Sequence, residues 1–465
     1  MKKIVPFIII IALLTAVFTA APVSAASDFT IEDGVLIGYS GSASSVTVPD
    51  GVYAVGASAF EGNTALKSVT LPPTVYSVGD RAFYNCTSLK QVTGSGVGTV
   101  GVFAFNGTPY FEQSTAEFFT LGSCLLWYNG TAKNVTLPSG ILSIAPFAFL
   151  RYAGLTSFSA PTGLVSIGEG AFYECSALAT VSLPATVTYI GASAFEGTAY
   201  LKTASGFVTL GDGVLVKYAG SDAAVTVPSA VRRIASGAFS GNTKLTKLTV
   251  PPSVYSVDRN AFEKCTKLTD VALSSGLVYI GDSAFAGCTA LTELSTPRTL
   301  SYIGNKAFSG CTALMSVRLD GARLTVSPYA FSACTKLRYA LLSTAVSEIG
   351  NYAFSGCTAL EGISISQETL IIGAKALDKC QKVTVYCKAN SFAAAALYSS
   401  KLSHTIGDAD GDGSMTILDA TIIQRFLAGI VTFAAREYCV SDTDNDANIT
   451  ILDVTRIQRF LAGLT

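Results

Sequence analysis

The chain of 465 residues is 49% hydrophobic and only 14% charged, where roughly 25% charged is usual. Its polar surface must therefore come mainly from Ser, Thr, Gly and Tyr. The 31 Lys and Arg nearly cancel the 32 Asp and Glu, and with no basic stripe a nucleic-acid surface is excluded.

Residues 1–25 read as an export signal. Lys2 and Lys3 form the charged start, Val5 to Ala20 the apolar run, and Val23-Ser24-Ala25 a small-residue cleavage site. The run is short for a membrane anchor, and no other 18-residue apolar stretch follows. No C-terminal sorting signal or lipidation motif is legible. The expectation is a mature, soluble, secreted protein, extracellular and held at a cell surface or on a larger assembly.

From Phe29 the chain reads FTIEDGVLIGYSG, two β-type runs flanking Asp33-Gly34, which is a hairpin signal. The module returns as FTLGSCLLWYNG from Phe119 and VTLGDGVLVKYAG from Val208. Its tyrosines, Tyr39, Tyr128 and Tyr218, are 89 and 90 residues apart. This super-repeat overlies a shorter one. Between Asn260 and Leu360 one phrase occurs five times, as in SAFAGCTAL and KAFSGCTAL, with Phe262, Phe285, Phe308, Phe331 and Phe354 each 23 residues apart. Such a period marks a solenoid, in which stacked neighbours supply the core no single turn can close. Where the Phe series jumps, from Phe105 to Phe149 and from Phe195 to Phe239, a hairpin-bearing turn fills the gap.

One full turn runs through Leu178, Val181, Leu183, Pro184, Val187, Ile190, Gly191, Ala194 and Phe195. Alternation at Val181-Ser182-Leu183 predicts a short strand, and proline ends it because it has no N–H to donate. Gly191 suits a corner with an unusual backbone angle. About six inward apolar side chains per turn each contribute roughly 1.5–3 kcal/mol. The outward strand positions are small hydroxyls (Thr70, Thr93, Ser159, Ser182, Thr249, Ser295, Ser364), interrupted by Arg318, Tyr339 and Leu341.

Eleven cysteines in a secreted chain suggest a disulfide framework, but the spacing argues against one. Cys86, Cys175, Cys265, Cys288, Cys311, Cys334, Cys357 and Cys380 all stand three residues after the repeat Phe or, in the last case, after Leu377. Such a column, one per turn and about 4.8 Å apart, has parallel Cβ vectors that suit a disulfide poorly. These read as buried free thiols, with Cys124 also in the core; pairing of Cys387 and Cys439 stays open. After Cys380 a last strand, an Ala-rich helix from about Ser391 and a closing strand read as a cap, which a solenoid end requires. The sole histidine, His404, lies there and reads as structural.

The pattern L-x-x-V-x-L-P, then V-x-x-I-G-x-x-A-F-x-x-C, resembles the BspA-type leucine-rich repeat of secreted and surface proteins. The resemblance covers about Phe29 to Ile406 and implies a curved solenoid with a parallel strand ladder on one face. It gives a division into a solenoid over 26–380, a cap over 381–406 and a separate tail over 407–465.

The tail opens as DADGDGSMTILD. Asp408, Asp410, Asp412 and Asp419 stand at loop positions 1, 3, 5 and 12, Gly413 sits at the sharp turn, and Ser414 and Thr416 add oxygens. This spacing wraps hard oxygen donors around one Ca²⁺. Asp442, Asp444, Asp446, Asn448, Thr450 and Asp453 repeat it for a second Ca²⁺, with Ala447 in place of the glycine. Each loop runs into a helix; in the first, Leu418, Ile422, Phe426 and Leu427 share a face and Gly429 stops it. Two such loop-helix units about 34 residues apart look like a type I dockerin, a small α-helical calcium-binding domain. The resemblance implies binding to a cohesin module of a scaffoldin, and so assembly into a cellulosome. By position in that family, the cohesin contacts are Ile417, Leu418, Gln424 and Arg425, then Ile451, Leu452, Gln458 and Arg459. The two sets are identical, which permits binding in two orientations. The apolar pairs depart from the Ser/Thr pairs of well-known dockerins and leave cohesin specificity open.

For the solenoid the leading expectation is a non-catalytic binding or adhesion module that recognises protein or carbohydrate. Tyr53, Tyr76 and Tyr255 share one position of the turn and Tyr189, Tyr279 and Tyr302 the next. Aromatic faces stack on sugars or partners, while β-propensity alone also places tyrosine there. Tyr189, Tyr279, Tyr302, Arg318 and Tyr339 form the candidate ligand face. The alternatives are a polysaccharide-degrading enzyme, since dockerin carriers often are, or an inhibitor of secreted enzymes. No carboxylate pair suited to glycoside hydrolysis stands out, and no catalytic residue is assigned.

Overall fold

The structure, a computed structural model, describes residues 28–321, 323–343, 346–365, 369, 371–386, 402–403, 417–428, 430 and 451–462. It is a parallel β-solenoid of about 15 turns, with two further helices in the C-terminal region. The chain forms two compact units, one of residues up to 96 with 103–113, the other of 97–102 and everything from 114 on.

A turn of the second unit shows how the repeat becomes structure. Thr180–Ser182 is a strand pairing in parallel with Ser157–Ser159, 23 residues earlier. The chain breaks at Pro184 and forms a second, two-residue strand, Tyr189–Ile190, paired with Ser166–Ile167. Each turn thus contributes to two ladders. The sequence made only the first legible, because two residues are too few for alternation to register. Inward Leu178, Val187, Ile190 and Phe195 are buried.

The A-F corner carries a fixed backbone signature. The residue before Ala and the second after Phe are left-handed: φ is 56° at Asn260 and 57° at Lys264, 57° at Tyr352 and 76° at Gly356. A non-glycine residue there costs roughly 1–2 kcal/mol. Where a regular corner follows in the next turn, three hydrogen bonds join the two; Asn260, Phe262 and Lys264 N–H donate to Asp282, Ala284 and Ala286 carbonyls at 2.9, 2.7 and 2.7 Å. Gly191, expected at a left-handed corner, is not one. Its Cβ position lies 2.5 Å from Glu169 N and 2.8 Å from Gly168 C of the neighbouring turn, so glycine is needed there for close approach of two backbones.

The repeat phenylalanines form a stacked column. From Tyr218 through Phe239, Phe262 and Phe285 centroids are 4.9, 4.7 and 4.9 Å apart. In the first unit Phe60, Phe83 and Phe105 stack at 4.8 and 5.2 Å, and Tyr39 lies 5.1 Å from Phe60 with its ring tilted by 34°. The hairpin tyrosines therefore stand in for Phe. Beside this column runs the cysteine column, free and buried as expected, with Cys380 half-buried. Each thiol does more than fill space: Cys265, Cys288 and Cys311 donate to the carbonyls of Phe239, Phe262 and Phe285 on the preceding turn at 3.2, 3.2 and 3.3 Å. Cysteine is replaced by Asn63, Tyr152 and Asn242 in the turns just after a hairpin, where no regular Phe corner precedes. Asn63 and Asn242 instead accept local N–H groups, from Ala65 and Leu66 and from Lys244 and Leu245.

Outward strand positions carry hydroxyls as expected, and several join rung to rung, as Thr136 and Ser159 do at 2.9 Å. Ser364 departs from that expectation: it is buried, and its Oγ accepts the Leu342 N–H at 3.2 Å. At the cap, Thr384–Tyr386 continues the ladder from Gly362–Ser364, and Leu402–Ser403 adds one more parallel strand. The expected cap helix, His404, Cys387, Cys439 and the export signal lie outside the described residues. Among the described residues no helix is long and apolar enough to cross a membrane.

Candidate functional site

The second ladder brings part of the expected ligand face together. Tyr279 and Tyr302 are direct partners, with rings 5.1 Å apart and 3° from parallel. Burial pushes the Tyr279 phenol up to about 12, helped by Tyr302 and the Asp282 and Asp258 charges. On the same ladder Arg233 pairs with Ser256, which pairs with Tyr279. The Arg233 guanidinium lies 4.8 Å from the Tyr189 ring centroid, so Tyr189 joins this edge.

Arg233 is the residue sequence reasoning missed. Its Nε donates to Asp258 Oδ2 at 2.6 Å, both side chains only 8% exposed, and Ser256 Oγ donates to Asp258 Oδ1 at 2.7 Å. Arg233 Nη1 is buried without a hydrogen-bond partner among the described residues. The signal was present as two departures from the repeat: Arg where neighbouring turns have Ser or Tyr, and Asp where they have Ala235 and Gly281. Each departure alone violates the rule that buried charges are paired, and together they satisfy it.

Arg318 and Tyr339 lie on the other ladder, opposite Leu341 and Ser316 respectively, and so do not join the tyrosine edge. Both are engaged within the fold. Arg318 Nε donates to Asp320 Oδ2 at 3.1 Å. The nearly covered Tyr339 donates its hydroxyl to Glu361 Oε2 at 2.6 Å, beside a two-point Arg338–Glu361 pair. Hydrogen bonds from Arg338 and then Tyr339 hold the Glu361 carboxyl below its usual range.

The helices Ile417–Leu427 and Ile451–Leu461 pack through Ala420, Ile423, Val454 and Ile457, with Ile422 at the margin. The face expected from Leu418, Ile422, Phe426 and Leu427 is therefore not the packed one; Leu418 and Leu427 are exposed. The two helices are alike in detail. Thr421 and Thr455 hydroxyls bond back to Ile417 and Ile451 carbonyls at 2.9 and 2.8 Å. Ile417 and Leu418 are 57% and 58% exposed, Ile451 and Leu452 both 59%. Gln424, Arg425, Gln458 and Arg459 are exposed as well. Of the expected calcium ligands, Asp419 and Asp453 fall on the first turn of these helices. Asp408, Asp410, Asp412, Ser414, Thr416, Asp442, Asp444, Asp446, Asn448 and Thr450 lie outside the described residues. Among the described residues no cluster of His, Cys, Asp or Glu forms a metal site.

Comparison with known proteins places both parts. The BspA type Leucine rich repeat region matches residues 31–118, 120–208, 218–338 and 279–403, and the Dockerin type I domain matches 406–462. Among solved structures, a leucine-rich repeat protein from Eubacterium ventriosum is 22% identical over 74% of this chain and 88% of its own, with a TM-score of 0.37. A leucine rich cell surface protein from Faecalibacterium prausnitzii is 26% identical over 74% and 95%, at 0.29. The pneumococcal vaccine antigen PcpA is 17% identical over 80% and 93%, at 0.30. No curated protein matches the chain. Type I dockerins are generally calcium-binding, and neither module is a catalytic one. The chain belongs to the BspA-type leucine-rich repeat family and ends in a type I dockerin domain.

Proposed function

We propose that this protein is a non-catalytic extracellular binding protein, fastened to a scaffold-borne cohesin by its calcium-loaded tail while the solenoid presents a recognition surface. The observation that carries the reading is the pair of matched helix faces. Each leaves an Ile-Leu pair in solvent, and exposed apolar pairs rimmed by polar residues mark interaction sites. Asp408, Asp410, Asp412, Ser414, Thr416 and Asp419 would hold one Ca²⁺, and Asp442, Asp444, Asp446, Asn448, Thr450 and Asp453 the other. These are all hard oxygen donors, and the cation's role is to hold each loop against its helix.

Equivalent faces give binding in either of two orientations. In calorimetry against a type I cohesin, replacing Ile417 and Leu418 by Asp leaves Kd within about twofold, and so does replacing Ile451 and Leu452. Replacing all four abolishes binding. Complete loss on changing one pair alone would show that a single orientation operates.

For the solenoid, the stacked Tyr279 and Tyr302 rings support carbohydrate recognition by the second ladder. Affinity electrophoresis against plant and host polysaccharides tests it. The expected result is retardation by one glycan, lost in the Tyr279→Ala/Tyr302→Ala variant. Absence of retardation by any glycan moves this edge to a structural role.

A further inference from the structure

The hairpin turn between Phe195 and Phe239 is cut short at its corner. Four residues separate Ile190 from Phe195 and Ile234 from Phe239, but only two separate Leu215 from Tyr218. Leu215 pairs in register with Ile234, and Tyr218 stacks on Phe239. Both ends are thus held in column while the corner between them is absent. A cavity of about 620 Å³ occupies the place, lined by Val216, Lys217 and Leu201 and by the corners of the turns on either side.

The interrupted corner leaves main-chain groups without their usual partners. One turn earlier the ladder is complete: Gly170, Phe172 and Glu174 N–H donate to Ala192, Ala194 and Glu196 carbonyls at 2.8, 2.7 and 2.7 Å. In the corner bordering the cavity, the N–H groups of Ser193, Phe195 and Gly197 meet no acceptor among the described residues. On the opposite wall the carbonyls of Ser236 and Ser240 meet no donor among the described residues, and only the central bond, Tyr218 N–H to Ala238 O at 2.8 Å, is made.

We propose that this notch binds a short extended segment of a partner polypeptide, held by main-chain hydrogen bonds that continue the interrupted ladder. The missing partners are carbonyls on one side and N–H groups on the other, and one strand of main chain offers both, on opposite edges. Gly197, Gly237, Gly241 and Ser240 line the walls, so the notch admits small side chains. Lys202 and Lys217 are balanced by Glu196 and Glu263 at its rim, so it favours an uncharged segment. The site is independent of the cohesin-binding faces and of the tyrosine edge.

A random heptapeptide phage library panned on the immobilised full chain tests this. The expected result is enrichment of uncharged peptides rich in Gly, Ala, Ser and Thr. Each selected peptide binds the full chain at least tenfold more weakly after Ser240→Trp, and likewise after Ser236→Trp, while Tyr279→Ala leaves its affinity unchanged. Circular dichroism confirms that each variant is folded. Replacing one central amide of the peptide by an ester weakens it about two- to tenfold, as loss of one hydrogen bond requires. Failure to enrich any peptide, equal binding by both tryptophan variants, or indifference to the ester overturns the proposal. So does binding of cellohexaose or xylohexaose that Ser240→Trp abolishes, which makes the notch a glycan site.

Discussion

The solenoid and the tail solve one problem, how to hold carboxylates in a folded chain, in opposite ways. In the solenoid the buried Asp258 is neutralised from within, by Arg233 on the preceding turn and by the Ser256 hydroxyl. In the tail, Asp408, Asp410 and Asp412 alternate along one stretch of the sequence and Asp442, Asp444 and Asp446 along another, a spacing suited to a shared cation. The interiors differ to match. From Leu215 to Val385 the solenoid has one cluster of buried side chains in which successive turns cover one another. The helix pair, among the described residues, has Ala420, Ile423, Val454 and Ile457. A small core leans on metal, and a repeat array does not.

Chelation therefore separates the two regions with the largest effect expected of any treatment. Clustered carboxylates repel without their cation, so metal binding and folding are coupled. Excess EDTA should remove the helical far-ultraviolet signal of the tail together with cohesin binding. Trp127, the single tryptophan, belongs to the strand Cys124–Tyr128 of the solenoid, and its fluorescence should stay unchanged. Helical signal and cohesin binding that persist in EDTA would mean the tail core suffices alone.

The contrast is sharpened by taking away the solenoid's internal cation. Arg233→Ser leaves Asp258 buried and uncompensated, which costs about 3–5 kcal/mol. Arg233→Ser with Asp258→Gly restores the residues that neighbouring turns carry, and should return the unfolding free energy from urea titration to within about 1 kcal/mol of the parent. If the single and double variants lose equal stability, the pair is not a compensating unit.

Much of this was legible in the sequence because the repeat writes its core at a fixed period. The Phe and Cys columns and the hairpin turns at Tyr39, Tyr128 and Tyr218 follow from it, and so does a strand at Val181-Ser182-Leu183, which the structure starts and ends one residue earlier, at Thr180–Ser182. The second ladder was not legible, since Tyr189–Ile190 is too short to show a period. Gly191 is visible in the sequence but its cause is not: a sequence displays glycine without saying whether angle or space demands it. The repeat register aligns Tyr279 with Tyr302, as the second ladder does, and it puts Arg318 and Tyr339 on the other ladder, apart from them. The Arg233–Asp258 pair escaped because each residue, taken singly, reads as an ordinary surface charge. The notch escaped because it is made by residues the hairpin turn lacks.

The cysteine column separates the two regions most finely, since no described cysteine lies outside the solenoid. Burial pushes the Cys175 thiol up to about 11 and those of Cys311 and Cys380 up to about 12, from an ordinary value of 9.0. The folded chain thus holds these protons more tightly than the unfolded chain does. Their contribution is complete below pH about 9, and it declines as pH rises through the window up to about 12, because the unfolded state gains by ionising first. Solenoid stability, read from Trp127 in urea, should accordingly fall with pH across that window. Replacing Cys311 by Ala removes one titrating thiol, so its slope with pH should be shallower than the parent's. The substitution also loses the bond to the Phe285 carbonyl, about 0.5–1.5 kcal/mol at neutral pH, so the two curves should converge as pH rises. Parallel curves would show that the thiols pack without their protonation mattering, and that the alkaline loss comes from the tyrosines instead.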